Sequence, residues 1–128
     1  ERELLAGDSR RERLEQLQPQ MTPESLARAQ AEAAGIHVSD ALLDYVQALL
    51  TFSREAPYFT TGLSPRAGLA LIATARAWTL LHGRKHVLPE DIQTLLPYVV
   101  GHRLQWAPTP EQAQPTDLTA CFQEVPVP

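Results

Sequence analysis

The chain has 128 residues and a formal net charge of −4, with eleven basic and fifteen acidic residues. Apolar residues make up 44% of the sequence and aromatic residues 6%, which suits one domain with a largely aliphatic core. This charge balance argues against non-specific nucleic-acid binding, which needs a dense positive field. No apolar run approaches the roughly 20 residues that span a bilayer, so we expect no membrane insertion. Cys121 is the only cysteine, and we expect a free thiol in a reducing cytoplasm.

The first 18 residues are rich in charged residues that favour a helix and include few apolar residues. Gly7 interrupts this pattern and Pro19 closes it, which predicts two short helical pieces that pack on something outside the chain. The sequence opens at Glu1 without methionine, inside the helical pattern, and we expect a piece of a longer protein.

Two helices are predicted next along the chain. Thr22 followed by Pro23 is a favourable start, because Thr22 can cap free N–H groups and proline needs no hydrogen bond in the first turn. This helix should run to about Ala34. Ser39 starts the second helix, whose apolar residues fall at helical spacing and predict one buried face: Leu42, Leu43, Val46, Leu49 and Leu50.

A loop over Glu55–Leu63 precedes two further helices. Ser64-Pro65 opens a helix to about Leu81 that is apolar on most sides, which is typical of the central helix of a bundle. Pro89 opens the last main helix, and Pro97 should break or kink it. No convincing strand pattern is present, and residues 60–61 and 86–88 are the only hints.

The composition changes from Trp106 onward. Pro108, Pro110 and Pro115 predict a loose linker, followed by a helical turn over residues 118–124. The expected fold is all-α: a small bundle of four to five helices over residues 19–104, preceded by residues 1–18 as a separate segment and followed by a Pro-rich linker and C-terminal tail over residues 105–128.

Other residue clusters favour ordinary structural roles. His82 and His86 are four residues apart, but Gly83 should end the helix between them, so we expect no metal site. No serine has the context of a nucleophile, and acidic residues at helix starts are explained by the helix dipole, so no catalytic residue is expected. Trp78 should lie in the core, whereas Trp106 could equally pack on a neighbouring domain or subunit.

One ordered set of motifs resembles the C-terminal lid of MoxR-family AAA+ ATPases. The stretch 62–67 (GLSPRA) is followed by a long helix and then by residues 83–92 (GRKHVLPEDI). The segments 38–40, 44–45 and 102–104 are also similar to that lid. The first five residues resemble the end of the family's large ATPase subdomain, and residues 124–128 resemble its C-terminus. Leu88 departs from the pattern, since many members have Thr or Ser there as a helix cap, and its loss should cost roughly 1 kcal/mol.

The resemblance implies that Arg66 is the sensor 2 arginine, which reaches from the lid to the γ-phosphate of bound ATP, with Ser64 and Pro65 forming the supporting helix start. It also implies ATP and Mg²⁺ in a longer ATPase, none being expected in this chain alone. The implied partners are a large AAA+ subdomain, neighbouring subunits of a hexamer, and von Willebrand factor A-type proteins, in a chaperone-like role. The residue type and its position agree with this role, because an arginine in the first turn of a helix is well suited to bind a phosphate.

Two other functions are open from the sequence. A stand-alone helical protein-interaction module would have the same amphipathic helices. A helix-turn-helix DNA binder could use residues 82–96, but that helix begins with Glu90 and Asp91 and has no basic residue through Leu96.

Overall fold

The computed structural model describes residues 14–108 and 117–128. Of the segment 1–18, in which two short helical pieces were predicted, the structure describes only residues 14–18, and residues 14–16 are helical. Most of the proline-rich linker also lies outside the described residues. Seven elements organise the rest, in chain order: α1 (Pro23–Ala34), α2 (Asp40–Glu55), β1 (Phe59–Thr61), α3 (Pro65–Leu81), α4 (Pro89–Val100), β2 (Gln105–Trp106) and α5 (Leu118–Phe122). A short 3₁₀ turn over Gly101–Arg103 joins α4 to β2. The expected all-α bundle is confirmed, with a two-stranded sheet added.

Helix α2 buries a face that is rotated from the predicted one. Its buried residues are Leu42, Tyr45, Val46, Leu49 and Ser53. Leu43 was expected in the core but is 45% exposed, and Leu50 is only half-buried. Tyr45 and Ser53 are buried in the core in their place. The buried residues follow the i, i+3, i+4 and i+7 spacing of one helix face, and Leu43 lies off that row.

Helix α3 lies at the centre, because it contacts α1, α2 and α4. Its buried residues are small or aliphatic, which lets the neighbouring helices approach closely: Ala67, Gly68, Leu71, Ala75 and Thr79. A Cβ atom at Gly68 would lie 2.9 Å from a methyl group of Leu50 on α2. The central position confirms the sequence interpretation.

The end of α3 is a Schellman motif. Gly83 has a φ of +67°, in the left-handed region that glycine adopts at little cost. The Gly83 N–H donates to the Leu80 carbonyl over 2.9 Å, and the Arg84 N–H donates to the Thr79 carbonyl over 3.0 Å. This turn ends the helix where the sequence predicted it and sends Arg84 back toward α4.

Helix α4 is continuous through Pro97, so of the predicted break or kink the break does not occur. It continues to Val100, and the Gly101 N–H donates to the Pro97 carbonyl. Pro97 removes one N–H donor from the last turn only, so few intrahelical bonds depend on it. Ile92 and Val100 are fully buried on either side of it.

The C-terminal residues pack into the same core as the helices. Cys121, Phe122 and Val125 are buried, and the Phe122 ring lies 5.4 Å from that of Phe52 and 5.9 Å from that of Phe59. Helix α5 begins at residue 118, as predicted. The sheet pairs Phe59 with Trp106 in antiparallel register. The strand hint at residues 60–61 was therefore correct, whereas the strand β2 was not predicted.

Candidate functional site

Arg66 lies in the first turn of α3, directly after Pro65. Ser64 occupies the N-cap position with extended backbone angles of −80° and 160°, but its side chain makes no capping hydrogen bond. The turn is closed by the backbone instead, since the Ala67 N–H donates to the Ser64 carbonyl over 2.9 Å. The sequence interpretation placed Ser64 correctly, whereas the expected hydroxyl contact is not formed.

The charge of Arg66 is not neutralised by any residue that the structure describes. Its side chain is exposed, and within residues 14–108 and 117–128 it makes no ion pair or hydrogen bond. The first turn of α3 contains no acidic residue. The partial positive charge of the helix N-terminus therefore adds to the guanidinium charge. Such an arrangement favours an anion.

Ser53 anchors the loop that leads into α3. Its hydroxyl is fully buried at the last turn of α2, where it donates to the Leu50 carbonyl over 2.7 Å. The same oxygen accepts a hydrogen bond from the Leu63 N–H over 2.9 Å. Leu63 itself is buried. The loop is thus held to α2 three residues before Arg66, which limits how far the arginine can move.

Gly62 lies against the end of α2. A Cβ atom placed there would overlap the Arg54 side chain and would lie 2.7 Å from both the Arg54 Cα and the Ser53 carbonyl oxygen. Only a residue without a side chain fits this contact. The sequence pattern alone did not identify Ser53 and Gly62 as residues that support Arg66. A serine near the end of a predicted helix and a glycine two residues before the Ser-Pro pair were the available signals.

A second polar cluster lies at the opposite end of α3. Asp91 is buried, and its carboxylate accepts hydrogen bonds from Arg84 over 2.6 and 2.8 Å. It also accepts from the Leu88 N–H over 2.9 Å and from the Thr79 hydroxyl over 3.3 Å. Asp91 thereby makes one half of a capping box, while its own N–H donates to the Leu88 carbonyl because the Leu88 side chain has no acceptor. The cluster fixes α3 to the start of α4.

The Asp91 carboxylate is held in its charged form by this cluster. Burial by itself raises the pKa of Asp91, but the Arg84 guanidinium, the Leu88 N–H and the Thr79 hydroxyl together outweigh it. The pKa of Asp91 therefore lies below its ordinary value. The acidic residues at this helix start were attributed to the helix dipole alone, and the long-range partner was missed.

The histidines do not form a metal site in the described part of the chain, where no group of three potential ligands comes together. His37 and His86 meet through their backbones in an isolated parallel bridge. The His82 ring contacts the Trp78 carbonyl and lies 4.5 Å from the Trp78 ring. Trp78 packs against the core as expected, and Trp106 is 41% exposed with its ring 5.3 Å from Phe59.

Comparison with known proteins agrees with this architecture. Residues 51–121 match the family described as the AAA lid domain. The chain is 34% identical over 95 residues to the uncharacterised protein YeaC of Bacillus subtilis, which covers 74% of the chain and 30% of YeaC. It is 38% identical over 88 residues to the chaperone MoxR1 of Mycobacterium tuberculosis, covering 62% of the chain and 23% of MoxR1.

A solved structure extends the comparison to the fold. The crystal structure of a candidate ATPase from Cytophaga hutchinsonii is similar with a TM-score of 0.57 and 29% identity. The likeness covers 61% of this chain and 26% of that one. The chain thus spans only a third or less of the length of the proteins it matches.

The chain belongs to the AAA lid domain family, whose match covers more than half of it. Its relatives and the motifs around Arg66 identify it more closely as the lid of a MoxR-type AAA+ ATPase. In the described residues no helix is long and apolar enough to cross a membrane.

Proposed function

We propose that this lid supplies Arg66 as the residue that senses the γ-phosphate of ATP bound to an adjoining AAA+ domain. The observation that supports the proposal most strongly is the unpaired guanidinium of Arg66 at the exposed start of the central helix. The residues present suit a triphosphate, because the helix start carries an arginine, no acid and a loop fixed by Ser53.

Arg66 acts by distinguishing two states of the nucleotide. A guanidinium fork binds phosphate oxygens bidentately and keeps its charge at any physiological pH. Arg66 therefore gains contacts when a γ-phosphate is present and loses them after hydrolysis. Mg²⁺ bound with the nucleotide neutralises charge on the phosphates. Because α3 contacts α1, α2 and α4, a displacement of Arg66 moves the lid as one body.

The wider role follows from the same proposal. We propose a ring of subunits, most simply a hexamer, in which each lid transmits nucleotide state to its neighbours. By similarity to the chaperone MoxR1, the assembly would act on other proteins. The von Willebrand factor A-type partners are a separate proposal, which rests on the resemblance of the sequence to MoxR-family ATPases. Cys121 is a buried free thiol, and we place the protein in the cytoplasm.

A comparison of three variants of the ATPase tests the sensor role. Arg66→Gln is expected to lower kcat for ATP hydrolysis by roughly tenfold to a thousandfold, because removal of a group that stabilises developing charge has effects of about that size. Arg66→Lys keeps the charge without the fork and should recover only part of the rate. Arg28→Gln is the matched control, since Arg28 is exposed on α1. Equal rates in Arg66→Gln and Arg28→Gln would remove the sensor assignment.

The stand-alone interaction module has a distinct expectation. It predicts that deletion of this lid leaves hydrolysis by the AAA+ domain unchanged. The lid proposal predicts loss of hydrolysis on deletion and its return when the chain is joined again.

A further inference from the structure

A second arginine of α3, Arg76, has a buried polar atom without a partner. Its Nε–H is inaccessible to solvent and donates no hydrogen bond to any acceptor in the described part of the chain. The side chain as a whole is half-buried, and no described carboxylate pairs with it. An arginine stays charged when buried, so an unsatisfied guanidinium donor is costly. The Nε is out of reach of an incoming group, whereas the terminal guanidinium nitrogens of Arg76 are not enclosed and also have no acceptor in the described part of the chain.

Arg76 lines a groove between α1 and α3. The groove has a volume of about 280 Å³ and is open to solvent, and its other walls are mostly methyl groups: Gln30, Ala33, Ala34, Ala73 and Ala77. Small side chains on both helices leave room for an incoming group to reach Arg76. The groove thus combines apolar walls with one cationic donor, which is the composition of a specific binding site.

The exposed side of α3 continues the groove in both directions. Leu69, Ala73, Ala77 and Leu81 are spaced by four residues, which places them in one row along the helix. Leu69 is 72% exposed and Leu81 is 83% exposed. These leucines flank the groove, and α1 lies beside it with Leu26 also exposed and no buried residue of its own.

We propose that this groove binds a glutamate side chain on an amphipathic helix of a partner protein. The two methylenes of glutamate would pack on the alanines, and its carboxylate would accept hydrogen bonds from the two terminal guanidinium nitrogens of Arg76, which are not enclosed by the described residues. The exposed leucines would contact apolar residues on the same partner helix. Nucleic acid fits less well, because the walls are apolar and the chain carries a net charge of −4. This site is separate from Arg66 and does not depend on the sensor role.

Small analogues of the two relevant side chains test the chemistry. Propionate reproduces the end of glutamate and propionamide that of glutamine. In NMR titrations of the chain, propionate should shift the Arg76 Nε–H resonance saturably, while propionamide should bind at least about tenfold more weakly. The exposed Arg28 side chain serves as an internal control and should show no saturable shift. Equal response to both analogues, or equal response of Arg28 and Arg76, would overturn the proposal.

A helical peptide tests the partner class. An alanine–leucine peptide with one central glutamate should bind more tightly than its glutamine twin, and Arg76→Gln should abolish this preference while Arg28→Gln retains it. Arg76→Lys, which keeps the charge but lacks the planar guanidinium fork, should give a smaller preference. Circular dichroism verifies the folding of each variant. Absence of any glutamate preference would overturn the proposal. So would self-association of the chain that Leu69→Ser abolishes and Arg76→Gln leaves intact, because a second copy would then cover this face.

Discussion

Substitution of Gly62 by alanine tests how the loop before Arg66 is held. The added Cβ would meet the Arg54 side chain, and it would lie 2.7 Å from the Arg54 Cα and the Ser53 carbonyl oxygen. Two of these atoms are backbone, so no side-chain rotation can relieve the overlap. Overpacking typically costs 1–3 kcal/mol, and we expect Gly62→Ala to reach about 3 kcal/mol. In a domain of this size that is a fall in Tm of roughly 10 °C.

Two other glycines provide matched controls in the same unfolding assay. Gly35 has a φ of −81°, and a Cβ there would meet its neighbours no closer than 3.5 Å, so Gly35→Ala should be neutral or stabilising by about 0.5 kcal/mol. Gly83 has open space but a positive φ, and Gly83→Ala should cost about 1 kcal/mol. The expected order of stability is Gly35→Ala, then Gly83→Ala, then Gly62→Ala. A Gly62→Ala variant as stable as Gly35→Ala would refute the close loop packing.

Two further predictions concern buried polar contacts. Ser53→Ala leaves the buried Leu63 N–H without an acceptor and should lower the free energy of unfolding by about 1–3 kcal/mol in a denaturant titration. Ser25→Ala is the control, because it loses only an exposed hydroxyl hydrogen bond on α1, and it should change the free energy of unfolding by less than about 0.5 kcal/mol. The lowered pKa of Asp91 means that its contribution is complete above the ordinary aspartate pKa of about 3.9 and is lost as pH falls through the lower folded-state value. Asp91→Asn should therefore destabilise the chain at pH 7 by about 2 kcal/mol. It should also reduce the loss of stability that acid causes in the unaltered chain. An unchanged dependence of stability on acidic pH would contradict the role of the cluster with Arg84.

Local signals in the sequence were sufficient for the helices. Thr22 and Ser39 do accept hydrogen bonds at their helix starts, from the Ser25 and Leu42 N–H groups respectively. The turn at Gly83 ends α3 as expected. These features depend on residues within a few positions of one another, which is why pattern and propensity predict them.

Long-range contacts were beyond the reach of the sequence pattern. The pairing of Phe59 with Trp106 joins residues far apart in the chain, and two-residue strands have no periodicity to detect. The rotation of the buried face of α2 is similar in origin, because Tyr45 rather than Leu43 faces the core for reasons of packing between helices. The Arg84–Asp91 pair depends on how α3 and α4 are brought together.

In the candidate site, too, the local features were predictable and the long-range contacts were not. The position of Arg66 at a helix start was predictable from Ser64 and Pro65. Its support by Ser53 and Gly62 was not, because the contact between the loop and α2 is set by three-dimensional packing.

The proposed sensor role requires that Arg66 distinguish ATP from ADP. The direct measurement is the ratio of the ADP to the non-hydrolysable ATP dissociation constants, by calorimetry, in the ATPase that carries this lid. We predict that Arg66→Gln reduces this ratio by about tenfold or more, as expected for the loss of a charge-assisted contact to one phosphate, while Arg28→Gln leaves it unchanged. A ratio that is the same in Arg66→Gln and in the unaltered protein would contradict the central claim.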